Sequence, residues 1–132
     1  MTIRSENEQP GIYRQVVRVD GHTFAADVSP ELGGRDSAPS PHDYFDASLA
    51  TCKALTALIY AKGRGIALDA VQVQVERDDA EERKGKYVLR LKVELIGALS
   101  DVEKAKVQDA ITRCPVHKLM TTTTVEIQTL PG

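Results

Sequence analysis

Residues 40–65 run Ser40-Pro41-His42-Asp43-Tyr44-Phe45-Asp46-Ala47-Ser48-Leu49-Ala50-Thr51-Cys52-Lys53-Ala54-Leu55-Thr56-Ala57-Leu58-Ile59-Tyr60-Ala61-Lys62-Gly63-Arg64-Gly65, and the fold turns on them. Ser40 followed by Pro41 is a helix start: serine caps the first turn and proline fits the first helical position, where its missing N–H goes unneeded. Asp43 stands where a capping box carries glutamate. Gly63 and Gly65 predict the stop, after about Lys62. Between Ala47 and Ala61 the helix is apolar or small almost all round, the pattern of a helix buried on every side. Those residues rise only ~22 Å, short of a ~30 Å hydrocarbon core, and Lys53 sits mid-segment. The stretch therefore reads as a core helix rather than a membrane span. A single layer of short strands covers one face of such a helix, and the simplest cover for the other is the same helix from a second copy. That predicts a two-fold homodimer.

Upstream, Ile12–Val19 and His22–Ala26 flank Asp20-Gly21, which supplies the positive φ angles of a two-residue hairpin turn. Residues 1–10 are polar and predict a frayed end or a weak strand start. Residues 28–41, with Pro30, Gly33, Gly34, Pro39 and Pro41, predict an irregular loop, long enough to suggest function. Downstream, Val71, Val73 and Val75 alternate with Gln72, Gln74 and Glu76, and Tyr87, Leu89, Leu91, Val93 and Leu95 alternate likewise, so a second hairpin is expected around the charged turn 78–85. Ser100 and Glu103 form a capping box for a helix that puts Val107, Ala110, Ile111 and Cys114 on one stripe. Pro115 ends that helix and can start another with Cys114 as its N-cap. Thr122–Leu130 predicts a last strand. The order ββ–α–ββ–α–(α)–β is α+β with antiparallel pairings.

The chain has 132 residues, 27% charged and 42% hydrophobic, which fits one globular domain. A formal net charge of -2 argues against nucleic acid or an anionic membrane as partner, since either needs a basic face. The start MTIRSENEQP lacks an apolar core and predicts no secretory signal. Two cysteines are too few for a secreted disulfide scaffold. In a reducing cytosol they are free thiols, a metal pair or a redox couple.

Cys52 lies mid-helix, where a cysteine often acts as a small hydrophobe. The helix dipole fades before reaching it, so a reactive Cys52 must borrow positive charge. Lys53 is adjacent but points about 100° away around the helix, and is no automatic partner. Cys114 sits at a helix N-terminus with His117 three residues on, a setting that lowers a thiol pKa; it also reads as a capping cysteine on an apolar stripe. On these grounds Cys114 is the more acidic thiol. His22, His42 and His117 with the cysteines lack the spacings of a metal site. No nucleophile elbow, phosphate loop or dinucleotide fingerprint occurs.

The stretch Ser40–Cys52, with its proline, acidic pair and small-residue helix leading to a cysteine, resembles the first motif of the OsmC/Ohr family, and Cys114-Pro115-Val116-His117-Lys118 resembles the second. The hairpin before Gly33-Gly34-Arg35-Asp36 also fits, so the similarity covers nearly the whole chain. It implies a single OsmC-like domain over residues 1–132, with antiparallel sheets wrapped around central buried helices in an intertwined homodimer. It implies a cytoplasmic thiol peroxidase: Cys52 attacks an organic hydroperoxide, Cys114 resolves the sulfenic acid as a disulfide, and an external dithiol reduces it, with no bound cofactor or metal. In the family an arginine and a glutamate activate the thiol. The glutamate position is His42 here, followed by Asp43. Arg35, Arg18 and Arg14 are candidates for the arginine, Arg35 first because it lies in the loop leading to the helix. Two other readings stand beside this one: a dimer holding an apolar ligand with structural cysteines, and a thiol redox carrier or sensor.

Overall fold

The computed structural model describes residues Met1–Gly132. The chain divides into two compact units, Met1–Phe45 and Asp46–Gly132. In the first, β1 (Ile3–Asn7), β2 (Gln15–Val19) and β3 (His22–Ala26) form an antiparallel sheet in that order. Val19 opposite His22 leaves Asp20-Gly21 as a two-residue turn, with Asp20 at φ 50°. The polar N-terminal residues do form a strand, β1, paired along its length with β2.

The expected irregular loop contains one 3-10 turn, Pro30–Leu32, and is organised by Asp27. That carboxylate accepts from the backbone N–H groups of Val28 (2.8 Å), Arg35 (3.2 Å) and Ser37 (3.0 Å) and from the Ser37 hydroxyl (2.6 Å). The Ser37 hydroxyl, then the backbone donors, hold Asp27 far below the usual carboxylate range. Gly34 is required in this cradle, because a Cβ there would collide with the Val28 carbonyl and the Asp27 carboxylate.

Helix α1 (Pro41–Gly63) starts in the first unit and continues into the second. Its start is a reciprocal cap: the Ser40 hydroxyl accepts from the Asp43 N–H (3.2 Å) and the Asp43 carboxylate from the Ser40 N–H (2.9 Å). The Tyr44 hydroxyl donates to the Ala25 carbonyl (2.5 Å), and its ring lies 5.1 Å from that of Phe24.

In the second unit, β4 (Leu68–Asp78) and β5 (Val88–Gly97) form a two-stranded antiparallel sheet. Val71, Val73 and Val75 stand opposite Leu95, Val93 and Leu91, so the period-2 pattern puts one partly buried face on the core. Helix α2 (Asp101–Ile111) opens with the full Ser100–Glu103 capping box, and α3 (Pro115–Thr121) follows with Cys114 as N-cap. The core gathers Ala57 of α1 with Val107 and Ile111 of α2, packed by Tyr60, Val71, Val93 and Leu95. Asp46, 8% exposed, fastens α1 to the hairpin: Arg77 Nε donates to its Oδ2 (2.6 Å) and the Tyr87 hydroxyl to its Oδ1 (2.7 Å). Burial, then the Asp46 carboxylate, pushes the Tyr87 phenol up to about 12.

One expectation changes. Residues 122–130 form no strand. β-Prone residues need a ladder partner, and the only sheet in this unit is the β4–β5 pair, which the tail does not join; Val125 and Ile127 stay exposed. Helix α1 is buried along one stripe, Asp46, Leu49, Lys53, Ala57 and Ala61, while Leu55 (57% exposed) and Ile59 (71%) face outward. No helix is long and apolar enough to cross a membrane.

Candidate functional site

The two cysteines, 62 positions apart in sequence, are neighbours in the second unit. Cys52 reaches the place from the middle of α1, Cys114 from the break between α2 and α3. That break follows from Pro115, which cannot continue α2 but suits the first position of α3. Cys114 itself has the extended conformation of an N-cap (φ -62°, ψ 144°). Both thiols are free, Cys52 half-buried and Cys114 fully buried.

The surroundings of Cys114 act against the lowered pKa expected of it. Burial, the largest effect, pushes the Cys114 thiol up. The His117 backbone N–H pulls it down, the Cys52 side chain pushes it up again, and the Lys53 charge pulls it down. The helix-start setting read from the sequence is present, but desolvation outweighs it.

Lys53 is the residue that sequence reasoning set aside. It is 6% exposed, and its Nζ donates to the Ile111 carbonyl (2.8 Å) and to His117 Nδ1 (2.9 Å). The ~100° offset from Cys52 on α1 turns Lys53 towards the α2–α3 break, where Cys114 is. Helical spacing carried that signal: Lys53 falls on the stripe of Asp46, Leu49 and Ala57.

The other expected site residues lie in the first unit. Arg35 is exposed, its N–H bound to Asp27 Oδ2, and it lines a cleft of about 630 Å³ with Tyr13, Arg14, Asp27 and Ser37. Arg14 donates to Glu8 (2.9 Å) and to the Ser37 carbonyl and hydroxyl (2.8 Å each), and Arg18 pairs with Glu6 (2.7 Å). His42 and Asp43 occupy the first turn of α1, Asp43 engaged in the cap. His42 precedes Cys52 by ten positions on α1, which runs from Pro41 to Gly63. No three His, Cys, Asp or Glu side chains converge as a metal site needs.

A family model described as OsmC-like protein matches residues 34–129, which takes in both cysteines. The chain belongs to the OsmC-like family. Solved structures of this family share its fold. An OsmC-like protein from Mycoplasma pneumoniae superposes with a TM-score of 0.71 at 21% identity, covering 92% of this chain and 86% of that one. An organic hydroperoxide resistance protein OsmC from Legionella pneumophila gives 0.65 at 19% identity, covering 92% and 88%. A candidate osmotic stress induced and detoxification response protein from Psychrobacter arcticus gives 0.76 at 19%, covering 92% and 89%. None of the curated proteins compared matches the chain. The OsmC-like fold thus brings together two thiols that the sequence separates, one reachable and one sealed, beside a buried ammonium.

Proposed function

We propose that this OsmC-like protein is a thiol-dependent peroxidase acting on organic hydroperoxides. The observation that carries this reading is the side-by-side placement of a half-buried thiol and a fully buried one. A hydroperoxide can reach Cys52, whose thiolate attacks the O–O bond, becomes a sulfenic acid and releases an alcohol after protonation. Cys114, shielded from bulk oxidant, displaces the hydroxyl of that sulfenic acid as water and closes the disulfide. An external dithiol then reduces it by exchange. The names of the Legionella pneumophila relative and of the hydroperoxide resistance protein OhrB from Bacillus subtilis agree with this chemistry.

Arg35 is the candidate for the arginine that activates Cys52 in the family, and His42, followed by Asp43, stands at the family's glutamate position. The working form in this reading is a homodimer in the cytoplasm, without a bound cofactor. The uncovered Leu55 and Ile59 of α1 and the exposed Val125 and Ile127 of the tail support the dimer, and two free thiols suit a reducing compartment.

The test is kinetic. With a dithiol present, cumene or tert-butyl hydroperoxide is consumed; Cys52→Ser abolishes turnover; Cys114→Ser leaves a sulfenic acid that a dimedone probe traps. Full turnover by Cys52→Ser would overturn the reading.

A further inference from the structure

Lys53 presents a problem of charge. A buried ammonium is stable when a counter-charge or a full set of acceptors meets it. Its partners, the Ile111 carbonyl and His117 Nδ1, are both neutral acceptors. Ile111 ends α2, so its carbonyl carries the partial negative charge of a helix C-terminus. An ammonium has no lone pair to accept with, so a Lys53 ammonium requires the His117 ring to accept at Nδ1 and to carry its own proton on Nε2. These contacts hold the ammonium without cancelling its charge. The remaining titratable groups at this place are the two thiols, Cys52 beside Lys53 on α1 and Cys114 at the start of α3. A thiolate here would be the missing counter-ion.

We propose that Lys53, aimed by His117, serves the disulfide-closing step by stabilising the Cys114 thiolate as it attacks the oxidised Cys52. The assignment rests on the peroxidase reading only for the identity of the oxidant. In the step, the Cys114 S–H bond breaks and its sulfur bonds to that of Cys52. The S–O bond of the sulfenic acid breaks, and the departing hydroxide takes the proton to leave as water. The Cys114 sulfur is oxidised and the Cys52 sulfur reduced by the same pair of electrons. Lys53 keeps its protons throughout and supplies field, not atoms. The Ile111 carbonyl and the imidazole keep the ammonium from turning away, which makes His117 a positioning residue.

A lysine that only tied α1 to the end of α2 would leave thiol acidity alone, and that separates the two roles. In a Cys52→Ser background Cys114 is the only thiol, and its thiolate absorbance near 240 nm can be titrated. Lys53→Met moves the midpoint up by about one pH unit or more, a tenfold loss of thiolate at fixed pH. Lys53→Arg restores most of it, and His117→Gln shifts it less in the same direction. In protein with both thiols, one equivalent of cumene hydroperoxide forms sulfenic acid in Lys53→Met at a rate within about twofold of the parent, while disulfide closure slows by about tenfold. Identical Cys114 titrations with and without Lys53, or a loss confined to sulfenic acid formation, would overturn the assignment. If Lys53→Met does not fold, the His117→Gln and Lys53→Arg titrations decide: no shift in the first overturns it. Should the chain ignore hydroperoxides altogether, the peroxidase reading fails, yet the titration still reports on Lys53.

Discussion

Oxidising the Cys52–Cys114 pair should make the protein markedly harder to unfold. The bond closes a loop of 62 positions, from residue 52 to residue 114, and a loop of that length removes about 4 kcal/mol of chain entropy from the unfolded state. For a chain of 132 residues, whose unfolding entropy amounts to ~0.28 kcal/mol per degree at about 2.1 cal/mol/K per residue, that is an upward shift of about 15 °C in Tm. The figure is a ceiling, since sulfurs that are neighbours must still approach to ~2.05 Å, and any backbone distortion subtracts from it. The assay compares protein oxidised with diamide, the disulfide verified by mass spectrometry, against protein kept in dithiothreitol. Concentrations are matched, so that association contributes equally to both arms. A verified intramolecular disulfide that leaves Tm unchanged or lowers it would refute the argument, because it would mean that the folded chain must be strained to bring the thiols together.

Asp46→Ala should destabilise the second unit by about 2–3 kcal/mol, since it strips Arg77 and Tyr87 of a charged, largely buried acceptor; urea unfolding measures this, and a loss below half a kcal/mol would contradict the anchoring role. Val107→Ala, at a fully buried position touching Ala57 and Ile111, should cost about 2 kcal/mol from two lost methyl groups and the cavity behind them. Asp27 makes the fold acid-sensitive in a defined sense. Its folded-state pKa is depressed, so its contribution is present above the unfolded value near pH ~3.9 and fades only well below it. Asp27→Asn should therefore flatten the acid limb of the stability profile, and a variant whose profile parallels the parent's would rule this out.

Much of the architecture could be read from local chemistry. The Asp20-Gly21 turn, the Ser40 and Ser100 caps and the valine alternation of β4 each act over a few residues, and each forms where expected. The stretch 122–130 shows the limit of that reasoning: its residues favour a strand, yet strand formation depends on a partner edge that β4 and β5 do not provide within the chain. The site was legible in its sulfurs and not in its electrostatics. Spacing on α1 predicts that Lys53 turns away from Cys52, which is correct, but the α2–α3 break that it turns towards is formed by residues some sixty positions later. For Cys114 the helix start was visible in Cys114-Pro115, whereas the enclosure that raises its pKa comes from tertiary packing.

The junction at Cys114 also has a mechanical meaning. Cys52 is set in the ladder of a long helix, where shifting one Cα drags a whole rung of hydrogen bonds with it. Cys114 sits at an articulation between two short rods, where extended backbone and a proline interrupt the ladder already. When the bond forms and breaks, any adjustment falls first on this junction, so each redox cycle should register at the Lys53–His117 contact that ties α3 to the long helix.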